Sequence, residues 1–454
     1  MNKLYLLCYR LHLELGGLPR IVLNKANILT EKGYDVSIIT IEHNNDYKFI
    51  EKELKKRNQL NSSVEMINIY DFFEMNNTNL NGKFASKLKN YFKLFTLRKM
   101  GYPLREHKHV SKKKYFTKDG FCYLIELFVK NRKLALFYID RPTGKVFKFK
   151  DDLEFQDHFY RKICISNNEK PFLICEGSGP TPTISKVDQE IAYKISNLHS
   201  NPYTGPYCFG GPIRNIGVLN NIEKNHAFVT LTENQRKDII KQLGDFGNVI
   251  TIPNFVPKRN LLDLEKDPNK ISIFTRIAHE KNLEDAIKSF RIVVNKRKNA
   301  RLEIFGRATL PEEKRELIKI ENLIKELNLS NNVFINGYIQ NVDVEMTESI
   351  VTLLTSKFEG FPMALLESMV NSTPVISYDL NYGPSDAIDH GINGFLVEYG
   401  DIESMANFMI ILLDDTKKAK KMGELARKKI LDFYSDEAVI PVWEKLFRNL
   451  TLQE

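Results

Sequence analysis

Long apolar runs are missing from this sequence: none approaches the ~20 consecutive apolar residues that crossing a bilayer requires, so a membrane-spanning class is not expected. Cysteine is scarce. Cys8, Cys122, Cys164, Cys175 and Cys208 are scattered, odd in number and without C-x-x-C spacing, which argues against a disulfide framework or a zinc site and for a reducing cytoplasm. Neither a G-x-G-x-x-G loop nor a P-loop occurs. Glu176-Gly-Ser-Gly179 superficially resembles a dinucleotide loop, but Pro180 and Pro182 forbid the helix that should follow it. A strict D-x-D triplet is absent too, which removes the usual carboxylate pair for a divalent ion, so no metal is expected.

What the chain does have is size and positive charge. Its 454 residues suggest two or three domains at a prior of roughly 150 residues each, and 43% hydrophobic with 27% charged residues fits a soluble globular class. A formal charge of +9 favours an anionic partner, whether nucleic acid, membrane surface or phosphate-rich polymer, without choosing among them. The opening residues 1–9 are apolar enough to suggest a secretion signal, but Arg10 and His12 interrupt them early, and they read as a buried first strand.

Hydrophobic periodicity gives the organisation. A strand at 4–9, the Gly16-Gly17 loop, a helix over 21–32 and a strand at 35–40 form a βαβ opening. Between 65 and 164 the rhythm changes to short aromatic and β-branched runs separated by hairpin signals at 118–120, 131–132 and 140–144. There Phe147 and Phe149 alternate with Lys148 and Lys150, as on a half-buried antiparallel strand. From 172 the alternation of strands and helices resumes, and 249–257 reads as a last strand entering a proline-punctuated crossover. Six further strands, beginning at 271, 301, 332, 351, 374 and 394, alternate with helices such as 283–295 and 311–327, which is the pattern of a doubly wound parallel sheet. The expected architecture is α/β, with two facing Rossmann-like domains and an antiparallel β-meander insertion in the first. The expected divisions are a discontinuous N-terminal domain of 1–64 and 165–256, the insertion at 65–164, a C-terminal domain at 257–434, and a closing helix at 435–454 that packs back on the N-terminal domain.

In such sheets ligands bind outside the carboxyl ends of the strands, so the loops after strands are the places to search. After the strand 351–355 comes Ser356-Lys-Phe-Glu-Gly-Phe-Pro-Met-Ala-Leu-Leu-Glu367, in which Pro362 suits a helix start and Gly360 frees the backbone before it. The unpaired amides around Met363 and Ala364 could hold a phosphate. Glu359 lies in the loop, and Glu367 falls beside the apolar Leu366 and Met369, where a carboxylate is costly unless a partner such as a sugar diol satisfies it. Arg276 and Lys281, five residues apart after the strand 271–275, are placed to converge on one diphosphate. Gly17 would let the backbone pass close to a ligand, and His199 would face the cleft, although a lone glycine is as readily a plain turn and a lone histidine more often structural.

These pieces resemble glycosyltransferase family 4 of the GT-B fold, over nearly the whole chain outside the insertion. Glu359-Gly-Phe-Pro-Met-Ala-Leu-Leu-Glu367 resembles the family's E-x7-E motif, Arg276 with Lys281 its R-x4-K pair, and 252–256 its crossover; Gly17 matches the first-loop glycine and His199 the histidine that approaches the donor sugar. The resemblance implies catalysis by Glu359, Lys281, Arg276 and His199, and a donor site of Gly17, Arg276, Lys281, Glu359, Phe361, Met363, Ala364 and Glu367. Glu367 would hold the ribose hydroxyls, Glu359 the sugar, and the two cations the diphosphate. It further implies retention of anomeric configuration and no cofactor beyond a UDP-sugar co-substrate. One departure is Phe274-Thr275, where relatives often carry a glycine before the arginine.

Within the family, 378–388 and the β-rich insertion are most similar to bacterial enzymes that glycosylate wall teichoic acids or serine-rich surface proteins. That similarity implies UDP-glucose or UDP-N-acetylglucosamine as donor and an anionic teichoic acid as acceptor. It places the enzyme in the cytoplasm, with peripheral contact to anionic membrane at its inner face. Open meander edges would allow a homo-oligomer through the insertion. A non-catalytic GT-B partner subunit is the contrasting reading, and Arg276, Lys281, Glu359 and Glu367 occurring together argue against it.

Overall fold

The computed structural model describes residues 2–14, 16–78, 110–203 and 216–452. The chain divides into two compact units, the first of Met1–Leu11, Tyr34–Cys175 and Gly179–Lys194, the second of His12–Gly33, Glu176–Ser178 and Ile195–Glu454.

In the first unit the strand Leu4–Cys8 is apolar and buried along its whole length, because both of its neighbours run parallel to it. Val36–Thr40 pairs on one side and Phe172–Cys175 on the other, with Glu65–Asn68 beyond Val36–Thr40. A separate antiparallel sheet follows the order Val110–Phe116, Cys122–Val129, Arg132–Asp140, Lys145–Phe149. Lys130 and Asn131, at φ 46° and 63°, make a two-residue turn whose twist matches the flanking strands. Phe147 and Phe149 point into a core shared with Phe73, Phe155 and Tyr138, while Lys148 is exposed, as the alternation predicted.

The ends of the 65–164 segment differ from the meander expected there. Residues 65–68 belong to the parallel ladder, and Ile69–Met75 and Asp152–Ile165 are helices. Aromatic density suggested strands, but Phe155 and Phe159 are one helical turn apart, and both helices are started by side-chain caps: Asn68 accepts from Tyr70 N and Asp151 from Glu154 N. Residues 79–109 lie outside the described residues.

The second unit contains a six-stranded, all-parallel sheet in the order Val333–Gly337, Arg301–Phe305, Asp267–Phe274, Ser349–Leu354, Val375–Tyr378, Gly394–Val397. Helices Leu283–Lys296, Pro311–Glu326 and Ile402–Asp414 bury Ile287, Ile320 and Met409 in one core with Ile304 and Val351. Three more parallel strands, 195–197, Ala227–Thr230 and Val249–Thr251, lead to the crossover. There Val256 N donates to Tyr434 O at 3.0 Å and Asp436 N donates to Val256 O at 3.2 Å. The closing helix Asp436–Leu452 buries Trp443, whose ring centroid is 3.8 Å from Lys25 Nζ on the helix Gly17–Glu31. Among the described residues no helix is long and apolar enough to cross a membrane.

Gly423 marks a close helix contact: in the helix Thr416–Phe433 it faces the backbone carbonyl of Ser372, which an added Cβ would overlap. Propensity alone favours alanine in a helix by ~1 kcal/mol, whereas overpacking a buried junction costs ~1–3 kcal/mol. Gly423→Ala is therefore expected to lower the urea midpoint of unfolding; a raised midpoint would show that the helix shifts without penalty.

Candidate active site

All the elements that form the main cavity belong to the second unit. It encloses about 360 Å³ and is lined by Gly17 and Arg20 at the start of the first helix, by Thr275, Arg276 and Lys281 after the strand Asp267–Phe274, and by Glu359, Met363, Ala364 and Glu367 after the strand Ser349–Leu354. Arg307 and Tyr338, after the strands Arg301–Phe305 and Val333–Gly337, also line it.

The helix Met363–Val370 starts one residue later than Pro362 would suggest, with Pro362 as its cap residue in extended backbone. Behind this start Asn254 Nδ2 donates to Phe361 O at 2.9 Å, and Gly383, at φ 107°, lies where a Cβ would collide with Phe361 and Pro362. Gly17 has no comparable protein constraint: a Cβ there would be in ordinary contact with Met363, 3.7 Å away.

Each carboxylate in the cavity has a cation. Lys281 Nζ donates to Glu359 Oε1 at 2.6 Å, and Ser356 Oγ donates to the same oxygen at 2.7 Å. Arg20 Nη1 donates to both oxygens of the buried Glu367, at 2.9 and 2.8 Å. Arg276 pairs with Glu280 at 2.8 Å and also with the buried Glu313. Burial would raise the Glu313 carboxyl, but donors from Thr309 and Leu310, together with Arg276, hold it below the usual range. Glu313 serves as the acid at the start of the helix Pro311–Glu326. Arg307 pairs with Glu14. Gly306, at the end of the neighbouring strand, lies against the Thr275 carbonyl just before Arg276, where an added Cβ would overlap it.

Two of the expected residues are placed differently from the rest. Phe361 does not line the cavity; it is buried edge-on against Tyr434, ring centroids 5.0 Å apart, and supports the loop from the core. His199 is also outside the lining, but its backbone carbonyl abuts Gly360, and its ring Nε2 lies 2.6 Å from Glu176 Oε2. Burial would raise Glu176, yet Lys25 and the bond from His199 outweigh it and hold the carboxyl down to about 2.

Sequence reasoning missed Arg20, Glu313 and Glu176. Arg20 stands one turn into the helix that begins at Gly17, the only local signal for it. Among the described residues, no three His, Cys, Asp and Glu side chains group as a metal ion would require.

The comparisons with known proteins lead to glycosyltransferases. Residues 257–429 match the family of glycosyl transferases group 1 and form a domain of that group. Among curated relatives, the poly(ribitol-phosphate) alpha-N-acetylglucosaminyltransferase of Staphylococcus aureus is 24% identical over 99% of this chain and 100% of its own length. The poly(glycerol-phosphate) alpha-glucosyltransferase of Bacillus subtilis is 30% identical over 72% of this chain and 49% of its own. The architecture is GT-B: S. aureus TarM, solved with fondaparinux, alpha-GlcNAc-glycerol and UDP, superimposes with a TM-score of 0.80 at 22% identity, covering 98% of this chain and 100% of that one.

Because the Gly360 backbone touches the His199 carbonyl, Gly360→Ala must displace the loop between Glu359 and Pro362. Turnover is expected to fall at least about tenfold, the effect of ~1.4 kcal/mol lost from the transition state, with an unchanged circular dichroism spectrum. Near wild-type turnover would show that the loop position is not critical.

Proposed function

We propose that this chain is a retaining, metal-independent glycosyltransferase that moves glucose or N-acetylglucosamine from a UDP-sugar to a wall teichoic acid in the cytoplasm. The observation that carries this reading is the convergence of Arg276, Lys281, Glu359 and Glu367 on one cavity at the start of the helix Met363–Val370. Lys281 and Arg276 would hold the diphosphate, aided by the amides of Met363 and Ala364. Glu359 would take the sugar hydroxyls and Glu367 those of the ribose.

The ion pairs suit this role, since a diphosphate competes with Glu359 for Lys281 and releases that carboxylate toward the sugar. The C1–phosphate bond breaks while the acceptor oxygen bonds C1 on the same face, and the acceptor proton passes to a phosphate oxygen. Fixed cations stabilise the departing charge without a metal.

The polymer acceptor draws support from the relatives' substrates and from charge. Lys112, Lys113 and Lys114 are exposed on Val110–Phe116, at the edge of the antiparallel sheet. Lys87, Lys89, Lys93, Arg98, Lys99, Arg105 and Lys108 precede them in sequence but lie outside the described residues. The same open edge could pair with a second copy, and the same lysines could rest on anionic membrane.

Lys281→Ala and Glu359→Ala are each expected to lose about a hundredfold in turnover, for ~3 kcal/mol of transition-state stabilisation, while remaining folded. Product analysis by mass spectrometry with a panel of UDP-sugars, with and without EDTA, tests this; near-normal turnover in both variants, or loss of wild-type activity to chelator with rescue by manganese, would refute the assignment.

The acceptor Michaelis constant for teichoic acid should rise steeply between low and physiological salt, and less so for the Lys112, Lys113 and Lys114 triple alanine variant. Indifference to both changes, with efficient glycosylation of a serine-rich protein, would replace the polymer by a protein acceptor.

A further inference from the structure

In the second unit the helix Thr416–Phe433 carries seven cations against two acids, a balance of +5 within a chain whose formal charge is +9. Lys417, Lys418, Lys420 and Lys421 stand in its first two turns, where the backbone dipole is positive and cations are disfavoured. The acids at this end are engaged elsewhere: Asp415 caps the helix by accepting from Lys418 N at 2.9 Å, and Asp414 pairs with Arg297 at 3.2 Å. Lys429 pairs with Asp389 at 2.7 Å, but the four lysines of the first turns and Lys428 are exposed and have no carboxylate partner among the described residues. Arg297 Nη2 also donates to Leu413 O at 3.1 Å, which brings the exposed Lys296 and Lys298 to the same end.

Apolar side chains stand open among these charges. Ile392 is 58% exposed and Ile411 38%, and Leu425 lies on the lysine face of the helix. The turn that carries Ile392 runs beside the helix, since Lys418 Nζ lies 6.0 Å from the centroid of the Phe395 ring and Lys429 holds Asp389. Ile411 is one turn before Asp415, whose N–H donates to its carbonyl at 3.1 Å. Lysines that gather at the unfavourable end of a helix, interspersed with open aliphatic groups, are what a face resting on an anionic bilayer needs: cations for the headgroups and apolar side chains for the acyl boundary. The lysine-rich start lies by the amino ends of the strands, because Arg297 precedes Arg301–Phe305 and Gly423 abuts Ser372 just before Val375–Tyr378. The cavity lies at the carboxyl ends of that sheet, so the chemistry makes no use of this face. A soluble polyanion would satisfy the lysines but leave Ile392 and Ile411 in water.

We propose that the start of the helix Thr416–Phe433, with the turn at Ile392 and the lysines beside Arg297, is a membrane-docking face: its lysines take anionic lipid headgroups, and Ile392, Ile411 and Leu425 settle at the acyl boundary. The face is separate from the edge at Lys112, Lys113 and Lys114, and its role does not depend on which sugar is moved or on whether any is.

The test is sedimentation of the full chain with vesicles of phosphatidylcholine, with and without phosphatidylglycerol, at low and physiological salt. The wild type should bind the anionic vesicles at least about tenfold more tightly than the neutral ones, and less tightly as salt rises. Lys417→Glu, Lys418→Glu, Lys420→Glu and Lys421→Glu together should weaken that binding at least about tenfold, while the Lys112, Lys113 and Lys114 triple alanine variant stays within about twofold of wild type. Acids suit a helix start, so the urea midpoint of the quadruple variant should not fall; if it does, the corresponding Lys→Gln substitutions at the four positions are read instead. Ile392→Ser with Ile411→Ser should remove the part of the binding that survives high salt. Undiminished vesicle binding by the quadruple variant, or loss of binding in the Lys112, Lys113 and Lys114 variant alone, would overturn the proposal. So would binding of soluble poly(glycerol phosphate) through these lysines as tightly as of anionic vesicles, which would make the face a polymer site. Self-association in sedimentation velocity that the quadruple variant abolishes, with no vesicle binding by the wild type, would make it a contact between copies.

Discussion

The ion pair between Lys281 and Glu359 joins two loops that leave adjacent strands of the six-stranded sheet, and the cavity takes its shape from that joint. Backbone bonds reinforce it: Lys357 N donates to Glu280 O at 2.8 Å, and Thr355 Oγ1 donates to Lys281 O at 3.0 Å. The two loops are thus bound to each other, with the Lys281 ammonium held beside the Glu359 carboxylate. Opposite charges so placed preorganise a site at little cost, because each charge is satisfied before any substrate arrives. The same logic recurs with Arg20 and Glu367 and with Arg276 and Glu313.

Much of this was legible from spacing. The strand–loop–helix around Glu359, Pro362 and Glu367 follows from a β-branched run, a glycine, a proline and a helical pattern, all local signals. The alternation at Phe147 and Phe149 is equally local. What spacing could not show is partnership across the chain. Arg20 meets Glu367, and Glu176 meets Lys25, through contacts set by the tertiary fold, so each reads in sequence as an isolated charge. Phe361 is the converse case: local spacing sets it beside Glu359 and Pro362, and only the tertiary fold turns its ring to the core against Tyr434. The helix Asp152–Ile165 was hidden by aromatic residues whose strand preference yielded to capping and to helical packing.

The cavity is also supported from behind by residues that make no direct claim on a substrate. Asn254 in the crossover, Gly383 and Tyr434 all converge on the Phe361–Pro362 turn. These three contacts fix the direction of the helix start Met363–Val370 while Asn254, Gly383 and Tyr434 stay out of the cavity.

The contact of Trp443 with Lys25 joins two helices far apart in sequence, Gly17–Glu31 and Asp436–Leu452. On the ribosome, a nascent chain would hold Lys25 and Glu176 with no indole to cover them until the closing helix emerged. The charged cluster next to His199 would then be wet and loosely held, however complete the six-stranded sheet already was. The cluster would gain its cover only when the helix Asp436–Leu452 docked against the helix Gly17–Glu31.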